Sequence, residues 1–195
     1  MKRFLFFILF SLVMETGAFA FAPGFIQALT SSGSSGGGGT ASPEILRPTG
    51  NGAGGGGWTA NTGALWDAIN DSTSDSDTTY ISTTWDHDAR GFTHTASALT
   101  TQTIDSVVVH VVAKYVGTAG TMQPGLYIGT SWYTIDGYNL TSTYADYTNT
   151  FTVNPATSAA WTVADINSAQ IVTWTLGTPN TSVRVTQCWL EINYQ

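Results

Sequence analysis

The 195-residue sequence predicts an all-β protein, a two-sheet antiparallel β-sandwich of jelly-roll type with one or two short helical turns. The run Ser182–Tyr194, SVRVTQCWLEINY, mixes valines, Trp189 and Ile192 with Arg184, Gln187, Glu191 and Asn193, and holds no strand breaker. The run Val107–Val116, VVVHVVAKYV, is apolar on both faces. Val107, Val109, Val111, Ala113 and Tyr115 share one face, and Val108, His110, Val112, Lys114 and Val116 share the other. That pattern fits an inner strand covered on both sides for part of its length. Turn residues separate short alternating runs from Ile45 onward, and about eight strands can be counted.

Taken in order, Lys2 and Arg3 precede an apolar run, Phe4–Met14, and Ala18-Phe19-Ala20 supplies a small-x-small pattern. Residues 1–20 therefore read as a secretory signal peptide cleaved after Ala20, too short to span a bilayer. A secreted, extracellular or cell-surface protein without a membrane span is expected. Residues 21–43 join an apolar peptide, Phe21–Leu29, to a Gly/Ser-rich linker. The peptide reads either as the remnant of an extended signal region or as an assembly element. In the second case Phe21, Phe25, Ile26 and Leu29 would dock on the sheet edge of a neighbouring subunit.

The module spans 44–195. Ile45–Pro48 is a short edge strand, since Pro48 cannot donate to a ladder. Gly50–Gly57 reads as a glycine-rich loop ending in Trp58. Leu65, Ala68 and Ile69 lie at helical spacing within Ala64–Asn70. Thr78–Thr83 and Gly91–Thr95 are short strands, and Leu126–Ile128 with Trp132–Ile135 form a hairpin about Gly129–Ser131. Tyr147, Phe151 and Val153 alternate with Thr148, Thr150 and Thr152, as in a half-buried strand with a threonine-covered outer face. Thr162 stands three residues before Asp165, the spacing of a capping box. Gln170–Leu176, QIVTWTL, meets the last run across Gly177-Thr178-Pro179-Asn180, which predicts a closing β-hairpin. Within that last run the phase switches. Val183 and Val185 lie on one face, Cys188, Leu190, Ile192 and Tyr194 on the other. A β-bulge near Thr186-Gln187, or burial of opposite faces along the strand, would explain the switch. Trp189, Glu191 and Asn193 are left as an outward row.

Composition excludes several functions. The chain carries 6 basic and 13 acidic residues, and loss of Lys2, Arg3 and Glu15 with the signal would leave 4 and 12, net −8. Such a chain repels phosphate backbones, so nucleic acid is not an expected partner. The one cysteine, Cys188, rules out an internal disulfide and reads as a small buried apolar residue. Catalysis is not expected either. A glycosidase needs two carboxylates facing across a cleft, and after the signal the chain holds only Glu44 and Glu191 as glutamates. No nucleophile-elbow Gly-x-Ser-x-Gly occurs in the module 44–195, and His87, His94 and His110 lack an evident nucleophile.

Two constellations remain. Asp71, Asp75 and Asp77 form the densest acidic segment, whose oxygens could hold calcium, although the spacing is not that of an EF-hand. Trp85-Asp86-His87-Asp88, with His94 nearby, reads as a polar loop rather than a metal site. Among the aromatics, Trp132, Tyr133, Tyr138, Tyr144 and Trp189 could form a platform that stacks on glycans, or fill the core and cross-strand pairs.

Ile45-Leu46-Arg47-Pro48, Gly57-Trp58-Thr59, Asp77-Thr78-Thr79-Tyr80-Ile81, Asn154-Pro155-Ala156-Thr157, Ala160-Trp161-Thr162 and Val183-Arg184-Val185-Thr186-Gln187 occur in this order. As a set they resemble a broad group of mostly uncharacterised jelly-roll modules in phage genomes and secreted bacterial proteins, across nearly all of residues 45–194. The resemblance implies a lectin-like sandwich in structural or attachment proteins, with no catalytic residues to carry over. Two departures stand out: Ser158 where a glycine is common, and the signal peptide, which argues against a virion part assembled in the cytoplasm. The leading expectation is a secreted, self-associating structural subunit of a cell-surface or extracellular structure such as a filament. The alternatives are a carbohydrate-binding adhesion module and a phage attachment or decoration protein.

Overall fold

The computed structural model describes residues 42–176 and 182–195. Gly39–Gln195 form one compact unit. The signal-peptide, linker and docking expectations, with Phe21, Phe25, Ile26 and Leu29, lie outside the described residues.

The described residues build two antiparallel sheets of six strands each. In order, the strands are β1 (Glu44–Leu46), β2 (Pro48–Gly54), β3 (Thr59–Ala60), β4 (Ile81–Thr83), β5 (Ala89–His94), β6 (Ile104–Val116), β7 (Thr121–Ile128), β8 (Ser131–Thr134), β9 (Tyr138–Asn139), β10 (Ala145–Phe151), β11 (Gln170–Leu176) and β12 (Ser182–Tyr194). A 3-10 turn at Asp67–Ile69 and one helix, α1 (Val163–Ser168), complete them. The first sheet runs β10-β6-β12-β4-β3, with β1 also on β12; the second runs β2-β5-β11-β7-β8, with β9 also on β7. The all-β two-sheet sandwich is as the sequence predicts. The strands exceed eight because pieces such as β3 and β9 hold two residues each, too few for alternation to register.

The core lies between the inner faces. Val107, Val109, Val111 and Ala113 of β6 and Val183, Val185, Cys188, Leu190 and Ile192 of β12 are buried with Phe92, Met122, Leu126 and Ile171 of the other sheet. The phase switch in β12 is a bulge: Val185 pairs with Ala113 and Gln187 with Val112, leaving Thr186 over. One extra residue returns the apolar side chains after the bulge to the face they occupied before it. Cys188 is free and fully buried. Desolvation pushes its thiol well above the ordinary range, only partly opposed by Arg47, so it is unreactive packing.

Several expectations are corrected. β11 and β12 form no hairpin, because β11 pairs with β5 and β7 while β12 pairs with β6, β4 and β1. Each is an interior strand of its own sheet, so neither offers an edge to the other; a turn signal does not choose the partner. Gly50–Gly57 is only partly a loop. Its first half is β2, which pairs with β5 through two register shifts, one of them between Asn51 and Gly54. There Gly52 and Ala53 stand opposite the single residue Gly91, and the bulge rides over the outer face of the sheet, where the Ala53 N–H donates to Gln170 Oε1 at 2.6 Å. A Cβ on Gly52 would stand 2.0 Å from that oxygen, so a side chain there would displace Gln170 from this bond. This cover explains why Val172, on the outer face of β11, has no exposure. The helical spacing in Ala64–Asn70 yields only the 3-10 turn, and the strand ending in β10 stops at Phe151, leaving Val153 exposed.

The capping box is present. Thr162 Oγ1 accepts from the Asp165 N–H at 3.1 Å, and the Asp165 carboxylate accepts from the Thr162 N–H at 3.0 Å. Before it, Asn154 closes a tight loop, its carbonyl accepting from the N–H groups of Thr157 and Ser158. Ser158 sits there at φ +59°, a left-handed position at which glycine is free of strain.

Candidate functional site

The acidic segment is a strap tied across the outer face of the first sheet. Asp75 accepts from Thr79 Oγ1 at 2.8 Å and from Thr186 Oγ1, at the β12 bulge, at 3.1 Å. The Asp71 carbonyl accepts from Gln187 Nε2 at 2.6 Å and from Arg47. Asp77 takes Lys114 at 2.6 Å, Arg184 at 2.8 Å and the Tyr144 hydroxyl at 3.1 Å. Much of the motif set quoted above, Arg47, Asp77, Thr79, Arg184, Thr186 and Gln187, thus meets in one network that fixes the strap to β12. The calcium reading gains nothing here: Asp77 is spent on two cations, and among the described residues no three His, Cys, Asp or Glu side chains gather as a metal site.

The strap gives a pH prediction. The hydrogen bond from Lys114, then that from Arg184, holds Asp77 at about 2, below its ordinary 3.8. A carboxyl depressed in the folded state stabilises above its unfolded value and loses that contribution as pH falls toward 2. Asp77 is half exposed, with its side chain 51% accessible, so solvent screening reduces the effect to about 1 kcal/mol or less. Urea midpoints between pH 5 and 2 should fall by that much less in Asp77→Asn; parallel curves would show that the strap carries no such linkage.

The five aromatics read as a platform do not share a surface. Tyr133 and Tyr138 pack against the core, and the Tyr138 hydroxyl donates to the Thr148 carbonyl. Tyr144 lies beneath Lys114 Nζ, 4.5 Å from the ring centroid. Burial and the adjoining Asp77 push its phenol up. Trp189 is covered from both neighbouring strands. His110 of β6 stacks on it at 4.4 Å and 9°, and the Arg47 guanidinium, next to β1, lies 5.3 Å from its centroid. His110 also meets Asp146 at 2.8 Å. These rings are engaged within the protein. Only Trp132, on the outer face of the second sheet, remains, tilted against its cross-strand partner Tyr127 at 4.6 Å.

The ring that stands free is one the sequence reading passed over. Trp85 is 61% exposed and forms the wall of a recess of about 300 Å³. The other walls are Gly56, Gly57, Thr59, Ser82, Thr83 and Thr84, all uncharged. An indole left this open forgoes roughly 3 kcal/mol of burial. The backbone beneath it is held: the Trp85 main-chain N–H donates to Thr83 Oγ1 at 3.1 Å, and the Trp85 main-chain carbonyl accepts from Thr175 Oγ1 at 3.0 Å. The ring lies on Gly57, where a Cβ would come within 2.9 Å of its carbons and 2.3 Å of Asp88 Oδ2.

Behind the recess the Thr83 hydroxyl donates to the buried Asp88 carboxylate at 3.0 Å, while the Asp88 N–H donates to Thr175. Burial raises the Asp88 pKa, opposed by that hydroxyl and by Arg90. Asp86 instead pairs with His87 at 2.8 Å. His87 has φ +56°, so the stretch is a turn rather than extended, and the two aspartates part. The signal for Trp85 was present: a tryptophan among Ser, Thr, Asp and His residues, with no apolar residue within three positions on either side.

No family model matches the sequence, and no curated protein matches it. Among solved structures, the chain is similar to the N-terminal cellulose-binding domain of Cellulomonas fimi β-1,4-glucanase C, at 18% identity over 71% of this chain and 88% of that one, with a TM-score of 0.35.

Proposed function

We propose that this chain is a non-catalytic carbohydrate-binding module that takes a neutral glycan on Trp85. The carrying observation is a tryptophan 61% exposed, its ring laid on Gly57 and its backbone hydrogen-bonded, beside an uncharged, hydroxyl-lined recess. A sugar ring matches it part by part: its C–H face stacks on the indole, and its hydroxyls exchange hydrogen bonds with Ser82, Thr84 and the glycine backbone. A platform seated in this way loses little conformational entropy on binding. With no cation in the walls and a net charge of −7, an anionic ligand is disfavoured. The walls hold no carboxylate pair for hydrolysis.

The competing reading, a self-assembling structural subunit with Phe21–Leu29 added to a neighbour's sheet, finds less support in the edges. β3 and β8 are short, β2 is bulged, and on β10 the Thr148 carbonyl already accepts from Tyr138.

The deciding experiment is a glycan array and affinity electrophoresis on neutral polysaccharides, with Trp85→Ala alongside. We expect retention by at least one neutral glycan and a loss of about tenfold or more in the variant, with an unchanged circular dichroism spectrum. Equal binding by variant and wild type, or no glycan bound at all, would sink the proposal. Oligomers that vanish on deletion of 21–29 would favour the assembly reading instead.

A further inference from the structure

Resting on that glycan reading, we infer that the site is longer than the recess: a groove for the interior of a linear neutral polysaccharide, with Trp132 as its second stacking platform. The observation is where the glycine run begins and ends. At one end, the Cβ position of Gly54 lies 3.1 Å from Trp132 Cη2. At the other, Gly57 lies under the ring of Trp85. The two tryptophans belong to distant parts of the chain, yet three steps of backbone join them, a span of at most about 11 Å. A disaccharide repeat covers such a distance.

The floor between the rings is bare. A Cβ at Gly55 or Gly56 would meet no atom within 4 Å, so nothing in the fold fills the space above them. The floor is also anchored, because Arg90 Nη1 donates to the Gly54 carbonyl at 2.8 Å. Trp132 is braced by Tyr127. Gly56 belongs at once to this floor and to the Trp85 recess, so the two places are continuous. A recess for a single terminal sugar would need no second ring and no open path. Two platforms on one bare track suit a chain whose successive units bind without new association cost, which makes affinity depend on length.

The test is calorimetry of the full chain with cello-, xylo- and chito-oligosaccharides of two to six units. The expected result is an affinity that rises at least about tenfold with length in one of these series and then levels off. Trp132→Ala should erase the rise while leaving the shortest binding ligand unaffected. Gly55→Leu serves as a second variant, since its side chain enters open space in the free protein but obstructs a chain lying between the rings. It should erase the rise too. An affinity independent of length, or a rise that survives both variants, overturns the groove while leaving the single-recess reading standing. Binding undiminished in Trp85→Ala, or no binding in any series, overturns the glycan reading itself and the groove with it.

Discussion

Replacing Asn149 with leucine should destabilise the fold by about 3 kcal/mol, a large fraction of the 5–15 kcal/mol typical of a domain. Asn149 projects from β10 and is 2% exposed. Its Nδ2 donates to the carbonyls of Pro124 at 2.7 Å and Asp136 at 3.2 Å. Its Oδ1 accepts from the Asp136 N–H at 3.3 Å and, at 3.2 Å, shares the single phenol proton of Tyr138, which the Thr148 carbonyl holds more closely. The amide thus uses its full hydrogen-bonding capacity and joins the first sheet to β7 and the 136–138 segment beside the second. Leucine keeps the volume, so the loss isolates the polar term: two carbonyls, an amide N–H and a phenol lose a partner, some of them away from water. Partial rehydration holds the cost below the sum of separate penalties. For a chain of this size about 3 kcal/mol lowers Tm by roughly 6–12 °C, measurable by circular dichroism. A drop under about 2 °C would mean that the network is replaceable. Tyr138→Phe in a double-mutant cycle should be less than additive with it, since both remove the same bond.

Asn149 also marks the limit of what the sequence discloses. Alternation placed Tyr147 and Phe151 inward correctly, and the inward position between them had to be a residue that the eye reads as polar surface. What stood out in the sequence was whatever a single strand dictates: the inner strand β6, the bulge in β12, the capping box at Thr162, the hairpin of β7 and β8. What did not stand out was pairing between distant segments. The β11–β12 hairpin failed because a turn says where the chain reverses and not which sheet it rejoins. The aromatic platform failed for a related reason. Whether Trp189 is free depends on His110 and Arg47, far away in sequence, and Tyr144 is covered by Lys114 in the same way. Trp85 was overlooked because an exposed ring produces no periodicity. Its isolation among polar residues was the trace it left.

Gly54→Ala and Gly55→Ala, one residue apart, should differ in stability by about 3 kcal/mol. Gly54 has φ +89°, and a Cβ there would stand 2.2 Å from the Ala89 carbonyl oxygen. That oxygen belongs to the backbone of β5 and cannot swing aside. The alanine must strain its own dihedrals, roughly 1–2 kcal/mol, and force the strands apart, about 1–3 kcal/mol more. Gly55 meets nothing within 4 Å, so its alanine should fall within about 0.5 kcal/mol of wild type or gain slightly from a stiffer unfolded chain. Thermal unfolding of the two variants side by side gives the comparison. The glycine run therefore has two parts with different causes. Gly54 is required by the backbone of β5 and Gly52 is crowded by the Gln170 side chain, whereas packing places no demand on Gly55 and Gly56. If both alanines cost the same, the bare floor between Trp132 and Trp85 would be a packing requirement like the rest of the run. If Gly55→Ala is silent for folding, the space above it is left open by the fold itself, as a path between the two rings requires.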